Sequence, residues 1–224
     1  MNTTRYNGIY ELWKGSKRFF LTRNLTPGTS FFKEHLHEQD GIEYREFDPT
    51  RSKIAAGLAK KINEFPIREG DTVLYLGAAH GYTASFISDL VGERGFVFAL
   101  DFAPRVVRDL YFVCEARTNM APILANAAKP DTYKNKIKKA DILIQDIAQK
   151  QQVQILFKNL QFLKERGFIF LSVKARSIDV TRKPAGIFKE VEDQLKQKLH
   201  ILDKKDLSPL ERDHMLFLCQ AKPQ

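Results

Sequence analysis

The 224-residue chain has little cysteine, with two residues, one tryptophan and three methionines. Cys114 and Cys219 both fall in apolar periodic segments, so they read as reduced core residues and not as a disulfide framework. No His/Cys spacing suits a metal ion, and none is expected. No apolar run is long enough to span a bilayer, and the opening residues carry Arg5 with no apolar stretch behind it. A soluble, cytoplasmic protein with no membrane partner is the expectation. There is no internal repeat and no low-complexity tail. The chain also lacks G-x-G-x-x-G and the Gly-Lys-Ser/Thr of a phosphate loop, so no turn is dedicated to a pyrophosphate. What it has in excess is positive charge: 36 Lys and Arg against 27 Asp and Glu give +9. Such a surface suits a polyanion such as RNA or DNA, although solvated lysines account for the same number.

The most informative stretch is 71–101. An apolar run at 73–76 reads as a buried strand, ended by Gly77, with Gly81 four residues on. A helix is expected over 83–91, packed through Ala84, Ile87, Leu90 and Val91, then a strand over 96–100 with Asp101 at its end. This is a strand–helix–strand unit with a glycine turn and an acid about twenty residues later, the arrangement that grips a ribose. A nucleoside ligand without phosphates, S-adenosylmethionine for example, fits this spacing better than a dinucleotide.

On either side the chain divides in two. Residues 1–50 read as a small antiparallel β domain, with strands at 9–12, 19–22, 30–32 and 43–47 and a hairpin turn at 13–17. Its aromatics suit either a protein-binding patch or packing against the rest. Residues 51–224 read as an α/β domain. Ser52 caps a helix expected to reach about residue 65, and Lys53 stands in its first turn, where a cation opposes the helix dipole. Pro104 opens a helix expected to run to 119, followed by a strand at 120–124 and Asn126, either a turn former or a contact for a base edge. Strands at 140–145 and 168–173 place Asp146 and Lys174 at strand ends, where ligands of such sheets bind. A loop around 181–184, a helix over 187–199, and strands at 200–205 and 215–221 complete the chain, with His214 just before the last strand. The lysines between 129 and 139, like Arg176, suit RNA phosphates or plain solvation.

At Leu74-Tyr75-Leu76-Gly77-Ala78-Ala79 and Lys174-Ala175-Arg176-Ser177-Ile178-Asp179 the sequence closely resembles fibrillarin. The likeness extends through Asn7-Gly8-Ile9-Tyr10, Asp48-Pro49-Thr50-Arg51-Ser52-Lys53, Asp146-Ile147-Ala148-Gln149 and Asp213-His214, in family order, so it covers nearly the whole chain. The resemblance implies a Rossmann-like S-adenosylmethionine-dependent methyltransferase fold with a mixed seven-stranded sheet plus the small β domain. It also implies a guide-RNA-directed ribose 2'-O-methyltransferase of rRNA, with tRNA as a further target, in a box C/D ribonucleoprotein of the short archaeal type. The implied partners are the box C/D guide RNA, a Nop-family scaffold and a kink-turn-binding ribosomal-type protein. The family's Lys-Asp-Lys-His set maps onto Lys53, Asp146, Lys174 and His214. The implied cofactor residues are Gly77, Ala78, Ala79, Gly81, Thr83, Asp101, Phe102, Asn126, Ala127, Asp146 and Gln149.

The chain departs from the family at His80, Tyr82, Asp101, Asn126 and Gln145. Two other readings follow from the same residues: an S-adenosylmethionine enzyme acting on small molecules or protein, and a non-catalytic particle component.

Overall fold

The computed structural model describes residues 1–222. The chain opens with five short strands: β1 (Asn2–Thr3), β2 (Tyr10–Lys14), β3 (Lys17–Arg23), β4 (Leu36–Gln39) and β5 (Ile42–Glu46). They form an antiparallel sheet in the order β1-β2-β3-β5-β4. Gly15 and Ser16 turn the β2–β3 hairpin, with Lys14 opposite Lys17. The strand expected at 30–32 does not form. The buried Glu34 carboxylate takes the Ser30 hydroxyl at 3.0 Å and the Phe32 N–H at 2.9 Å, which holds the segment as a bend. β4 takes the sheet edge in its place.

The remainder is α1 (Lys53–Ala59), β6 (Thr72–Leu76), α2 (Tyr82–Val91), β7 (Phe96–Asp101), α3 (Pro104–Glu115), β8 (Met120–Leu124), β9 (Ala140–Gln145), α4 (Gln152–Asn159), β10 (Leu163–Lys174), α5 (Ala175–Ile178), α6 (Pro184–Lys196), β11 (Leu199–Asp206) and β12 (His214–Ala221). The seven strands run β11-β12-β10-β9-β6-β7-β8, parallel except for β12, which pairs antiparallel with both its neighbours. The chain first builds outward from β6 to β8, then returns to β9 on the other side of β6. The carboxyl ends of β6 and β9 therefore flank the topological switch point, where open α/β sheets bind ligands.

Alternation along β6 explains the layers. Val73 and Tyr75 enter a core shared with α1, α2, α3 and the N-terminal sheet. Leu74 and Leu76 enter the opposite core, with Val153, Leu156, Val191 and Leu195 of α4 and α6. A strand buried on both faces reads as a continuous apolar run, as β6 does.

Three helices are shorter or displaced relative to expectation. α1 stops at Ala59 because Lys61 adopts a left-handed φ of 56°. The Lys61 N–H then reaches the Leu58 carbonyl and the Ile62 N–H the Gly57 carbonyl, both at 3.0 Å, a Schellman closure made with lysine in the usual glycine place. α3 ends at Glu115, since Arg117 and Asn119 are drawn inward to α2: Arg117 to Asp89 at 2.7 Å, Asn119 to the Gly92 carbonyl at 2.8 Å. α6 begins at Pro184, three residues early, and ends at Lys196. β10 starts at Leu163, with a register irregularity before Phe168.

The N-terminal sheet docks on α2 through a buried charge network. Arg45, fully buried, donates to Glu34 at 2.8 Å, to Asp89 at 2.9 Å and to Ser85 at 3.0 Å. Asp89 also accepts from Arg117, and from Thr22 at 2.9 Å. Burial works most strongly on the Glu34 carboxylate and opposes its charge, yet the Arg45 guanidinium and backbone N–H donors, the Phe32 N–H among them, together outweigh it and hold its pKa below the ordinary value. Phe47 stacks on Phe86 at 4.5 Å, so much of the domain's aromatic content packs inward, while Trp13 stays 52% exposed.

Candidate active site

Gly77 ends β6 at φ 84°, and the Gly77 and Ala78 N–H groups both donate to the Leu100 carbonyl, at 2.8 and 3.0 Å. A side chain at 77 would run into the Asp146 carbonyl oxygen, so only glycine lets the ends of β6 and β9 close together. Gly81, φ 95°, caps α2, and a Cβ there would sit 2.8 Å from Leu110. Between them the turn presents Ala79, whose N–H donates to Asp101 at 3.0 Å. The other Asp101 oxygen accepts the Ala103 N–H at 3.1 Å. A carboxylate has about four lone-pair sites, so these bonds fix its orientation and leave two for a ligand diol.

Beside this turn lies a cavity of about 300 Å³ at the switch point. Gly77, Asp101, Phe102, Asn126, Ala127, Asp146 and Gln149 line it, together with Leu100, Ala125, Ile147 and Ala148. Phe102 is 63% exposed, an aromatic face unused by the core. Asn126 Oδ1 accepts the Ala128 N–H at 2.9 Å, which makes an Asx turn and orients the amide. An acid, an amide and an apolar wall match the polarity of an adenosine moiety. Ala78, Ala79, Gly81 and Thr83 lie outside the cavity wall, in the turn and the first turn of α2. Larger cavities open elsewhere, including one of about 490 Å³ lined by Arg5, Asp141 and Lys164 at the opposite, amino end of the strands.

Four polar side chains, Asp146, Lys53, Glu211 and His214, each lie within 4 Å of the next, beginning at the cavity wall. The Asp146 N–H donates to the Leu76 carbonyl at 2.9 Å, which holds its side chain over the β6–β9 junction. Lys53 Nζ approaches Asp146 Oδ2 at 3.0 Å and Glu211 Oε1 at 3.9 Å. Burial disfavours the Lys53 charge, but Asp146 and then Glu211 outweigh it and raise its pKa, so Lys53 is a cation at neutral pH. His214, buried at the start of β12, stands opposite Lys174 in the antiparallel ladder, so the two side chains share a face. Its Nδ1 lies 2.7 Å from the Arg212 carbonyl and 3.9 Å from Glu211 Oε2. Gln152 straps the Lys174 backbone through both edges of its amide, at 3.3 and 3.4 Å.

From their shared strand-end position the sequence pairs Asp146 with Lys174; among the described residues the ion-pair partner of Asp146 is Lys53 instead. Lys174 stands exposed at the end of β10. In the sequence, only the nearness of Glu211 to His214 hints at a role for it.

Two further side chains tie the site to its surroundings. Ser52 caps α1 by accepting the Ala55 N–H at 3.3 Å, and its hydroxyl also accepts the Thr83 hydroxyl at 3.0 Å. The helix that carries Lys53 is thereby joined to the helix that follows the glycine turn. Among the departures, Tyr82 faces the N-terminal segment: its hydroxyl accepts the Asp48 N–H at 3.1 Å and Arg51 lies over its ring at 4.2 Å. His80 is exposed and paired with Asp109 at 3.0 Å.

The chain can be set beside known proteins at this point. A family model described as Fibrillarin matches residues 1–223. The chain is 46% identical over 217 residues to the fibrillarin-like rRNA/tRNA 2'-O-methyltransferase of Thermococcus onnurineus, covering 96% of each. The structure is similar to that of Aeropyrum pernix fibrillarin with natively bound S-adenosyl-L-methionine: TM-score 0.90, 39% identity, 97% of this chain and 96% of that one. It is also similar to fibrillarin in a fibrillarin/Nop5p complex, with TM-score 0.87, 34% identity, and 98% and 100% covered. The glycine turn, the acid that ends β7 and the lysine–aspartate pair at the switch point thus stand within a match that runs the length of the chain, and the chain belongs to the fibrillarin family.

Proposed function

We infer that the chain is the S-adenosylmethionine-dependent enzyme that methylates ribose 2'-hydroxyls of rRNA and tRNA, guided by a box C/D ribonucleoprotein. The observation that carries the site assignment is the Lys53–Asp146 pair, 3.0 Å apart beside the switch-point cavity. Asp101 would hold the ribose diol of the cofactor, Phe102 and Ala127 its adenine faces, and Asn126 and Gln149 its polar edge. The turn from Gly77 through Ala79 to Gly81 would carry the amino-acid end, with Thr83 beside it. Bound S-adenosylmethionine supplies an electrophilic methyl group on a sulfonium.

The chain's own work is then to position the hydroxyl and manage its proton. Lys174, exposed at the end of β10, is the side chain assigned to orient or deprotonate the 2'-hydroxyl. Lys53 stays charged and stabilises negative charge developing on the oxygen. Asp146 holds that cation in place, and His214 completes the face it shares with Lys174.

As partners we propose the guide RNA and a kink-turn-binding ribosomal-type protein alongside a Nop-family scaffold. The fibrillarin/Nop5p complex supports the scaffold, and cytoplasmic assembly fits the archaeal relatives. A division into domains 1–50 and 51–224 separates the two sheets.

The test is labelled methyl transfer in a reconstituted guide particle. Label is expected at the guide-specified ribose, and Asp146→Ala or Lys174→Ala is expected to assemble normally but lose at least about 100-fold in rate. Label elsewhere, or only without guide, counts against the function; wild-type rates in either variant count against the roles.

A further inference from the structure

We propose that Glu211 is a positioning residue of the methyl transfer: it joins Lys53 of one element to His214 of another and so sets the distance between them. The proposal rests on the function inferred above. Glu211 Oε1 lies 3.9 Å from Lys53 Nζ, and Oε2 lies 3.9 Å from His214 Nδ1. One carboxylate thus uses a separate oxygen for each neighbour. With Asp146 on the other side of Lys53, the four groups make a continuous line from the end of β9 to the start of β12.

The loop that carries Glu211 is built to keep it there. Its N–H donates to the Leu207 carbonyl at 3.1 Å, and the Leu207 N–H donates to the His214 carbonyl at 3.0 Å. Lys60, the residue that caps the C-terminus of α1, donates to the Ser208 carbonyl, so the helix bearing Lys53 grips the same loop a second time. On the other flank the Ala175 N–H donates to the Asp213 carbonyl at 2.9 Å, and Arg176 pairs with the Asp213 side chain at 3.0 Å. Asp213 itself is held at a left-handed φ of 57°. The segment 207–213 is therefore clasped between the Lys53 helix and the Lys174 strand end.

Chemistry supports the same role. A carbonyl can only accept, so His214 Nδ1 carries the proton shared with Arg212 O, and Nε2 is the ring nitrogen open to other partners. Glu211 therefore meets the N–H side of the ring and leaves the other side free. An acid facing a site for a polyanion repels the substrate's phosphates, so substrate affinity gives no reason for a carboxylate here. Holding Lys53 beside His214 does. The sum of charges agrees: Lys53 and Lys174 are balanced by Asp146 and Glu211, and without Glu211 the cluster carries a surplus positive charge.

The experiment is single-turnover methyl transfer at saturating cofactor in the reconstituted guide particle, for wild type, Glu211→Gln and Glu211→Asp. S-adenosylmethionine affinity and particle assembly are measured in parallel. Glu211→Gln keeps the shape and removes the charge; its rate is expected to fall at least tenfold, with cofactor affinity within twofold of wild type. Glu211→Asp, which keeps the charge, is expected to recover at least threefold of that loss. In a double-mutant cycle with Lys53→Met, the further loss from Glu211→Gln should shrink below threefold, because its partner is gone. Wild-type rates in Glu211→Gln, the full tenfold loss persisting in Lys53→Met, or no recovery in Glu211→Asp would each overturn the proposal. A wild-type particle that labels no guided ribose would instead overturn the function on which it rests.

Discussion

At the scale of single residues, the strand ends were legible and their partners were not. Gly77, Asp101 and Lys174 each close an apolar run and Asp146 follows one by a single residue; that position is readable because a buried parallel strand is a run of apolar residues with polar punctuation. Which cation meets Asp146 depends on where α1 crosses the sheet, and no local pattern carries that. Lys53 looked unfavourable as a helix-start cation, and the structure supplies the reason it is tolerated: Asp146 and Glu211 stand in front of it. The close approach of Gly77 to Asp146 gives a direct test. Gly77→Ala must leave a left-handed φ or push the β9 end away, so destabilisation of roughly 1–3 kcal/mol is expected, and S-adenosylmethionine affinity should fall at least about tenfold. Denaturant unfolding and titration calorimetry measure the two effects; wild-type affinity in this variant would mean that the turn has no part in the cofactor site.

At the scale of elements, periodicity placed most of the helices and strands, and the errors have local physical causes. α1 ends early in a local closure at left-handed Lys61, α3 ends early because Arg117 and Asn119 are claimed by bonds to α2, and 30–32 is bent because Glu34 captures its backbone. The largest omission is the buried network of Arg45, Asp89, Arg117 and Glu34 that fastens the N-terminal sheet to α2. Charged residues in an exposed-looking strand read as surface until their partners are known. Arg45→Met would leave Glu34 unpaired in the interior, a loss of about 3–5 kcal/mol by denaturant unfolding if the pair behaves as buried ion pairs do. The pH dependence has a definite sign. The Glu34 pKa is depressed in the folded state, so its contribution is complete above the ordinary glutamate value and is lost as pH falls through the depressed one. Glu34→Gln should therefore flatten the decline in stability as pH falls below the ordinary glutamate value; an unchanged slope would show that other carboxylates govern acid unfolding.

At the scale of the whole molecule, the two sheets share one continuous core. Ile9, Phe20 and Phe47 from the N-terminal segment belong to the same apolar cluster as Val73, Phe86 and Leu110. The expected outcome is a single cooperative transition. Trp13, the only tryptophan, reports on the N-terminal sheet, while far-UV circular dichroism reports mainly on the larger unit. The two signals should give coincident midpoints in urea, and a separate earlier tryptophan transition would contradict the shared core. The sequence by itself determined the fold class, the glycine turn, the acid that follows it and the family, because those features are written in short runs of residue type and spacing. Tertiary structure alone decided which charges meet. The Lys53–Asp146 and Lys53–Glu211 pairs join residues more than ninety positions apart, and the Arg45–Asp89 pair joins a strand of the N-terminal sheet to α2. A charge gains its partner only when the backbone has brought the two together and removed the water between them.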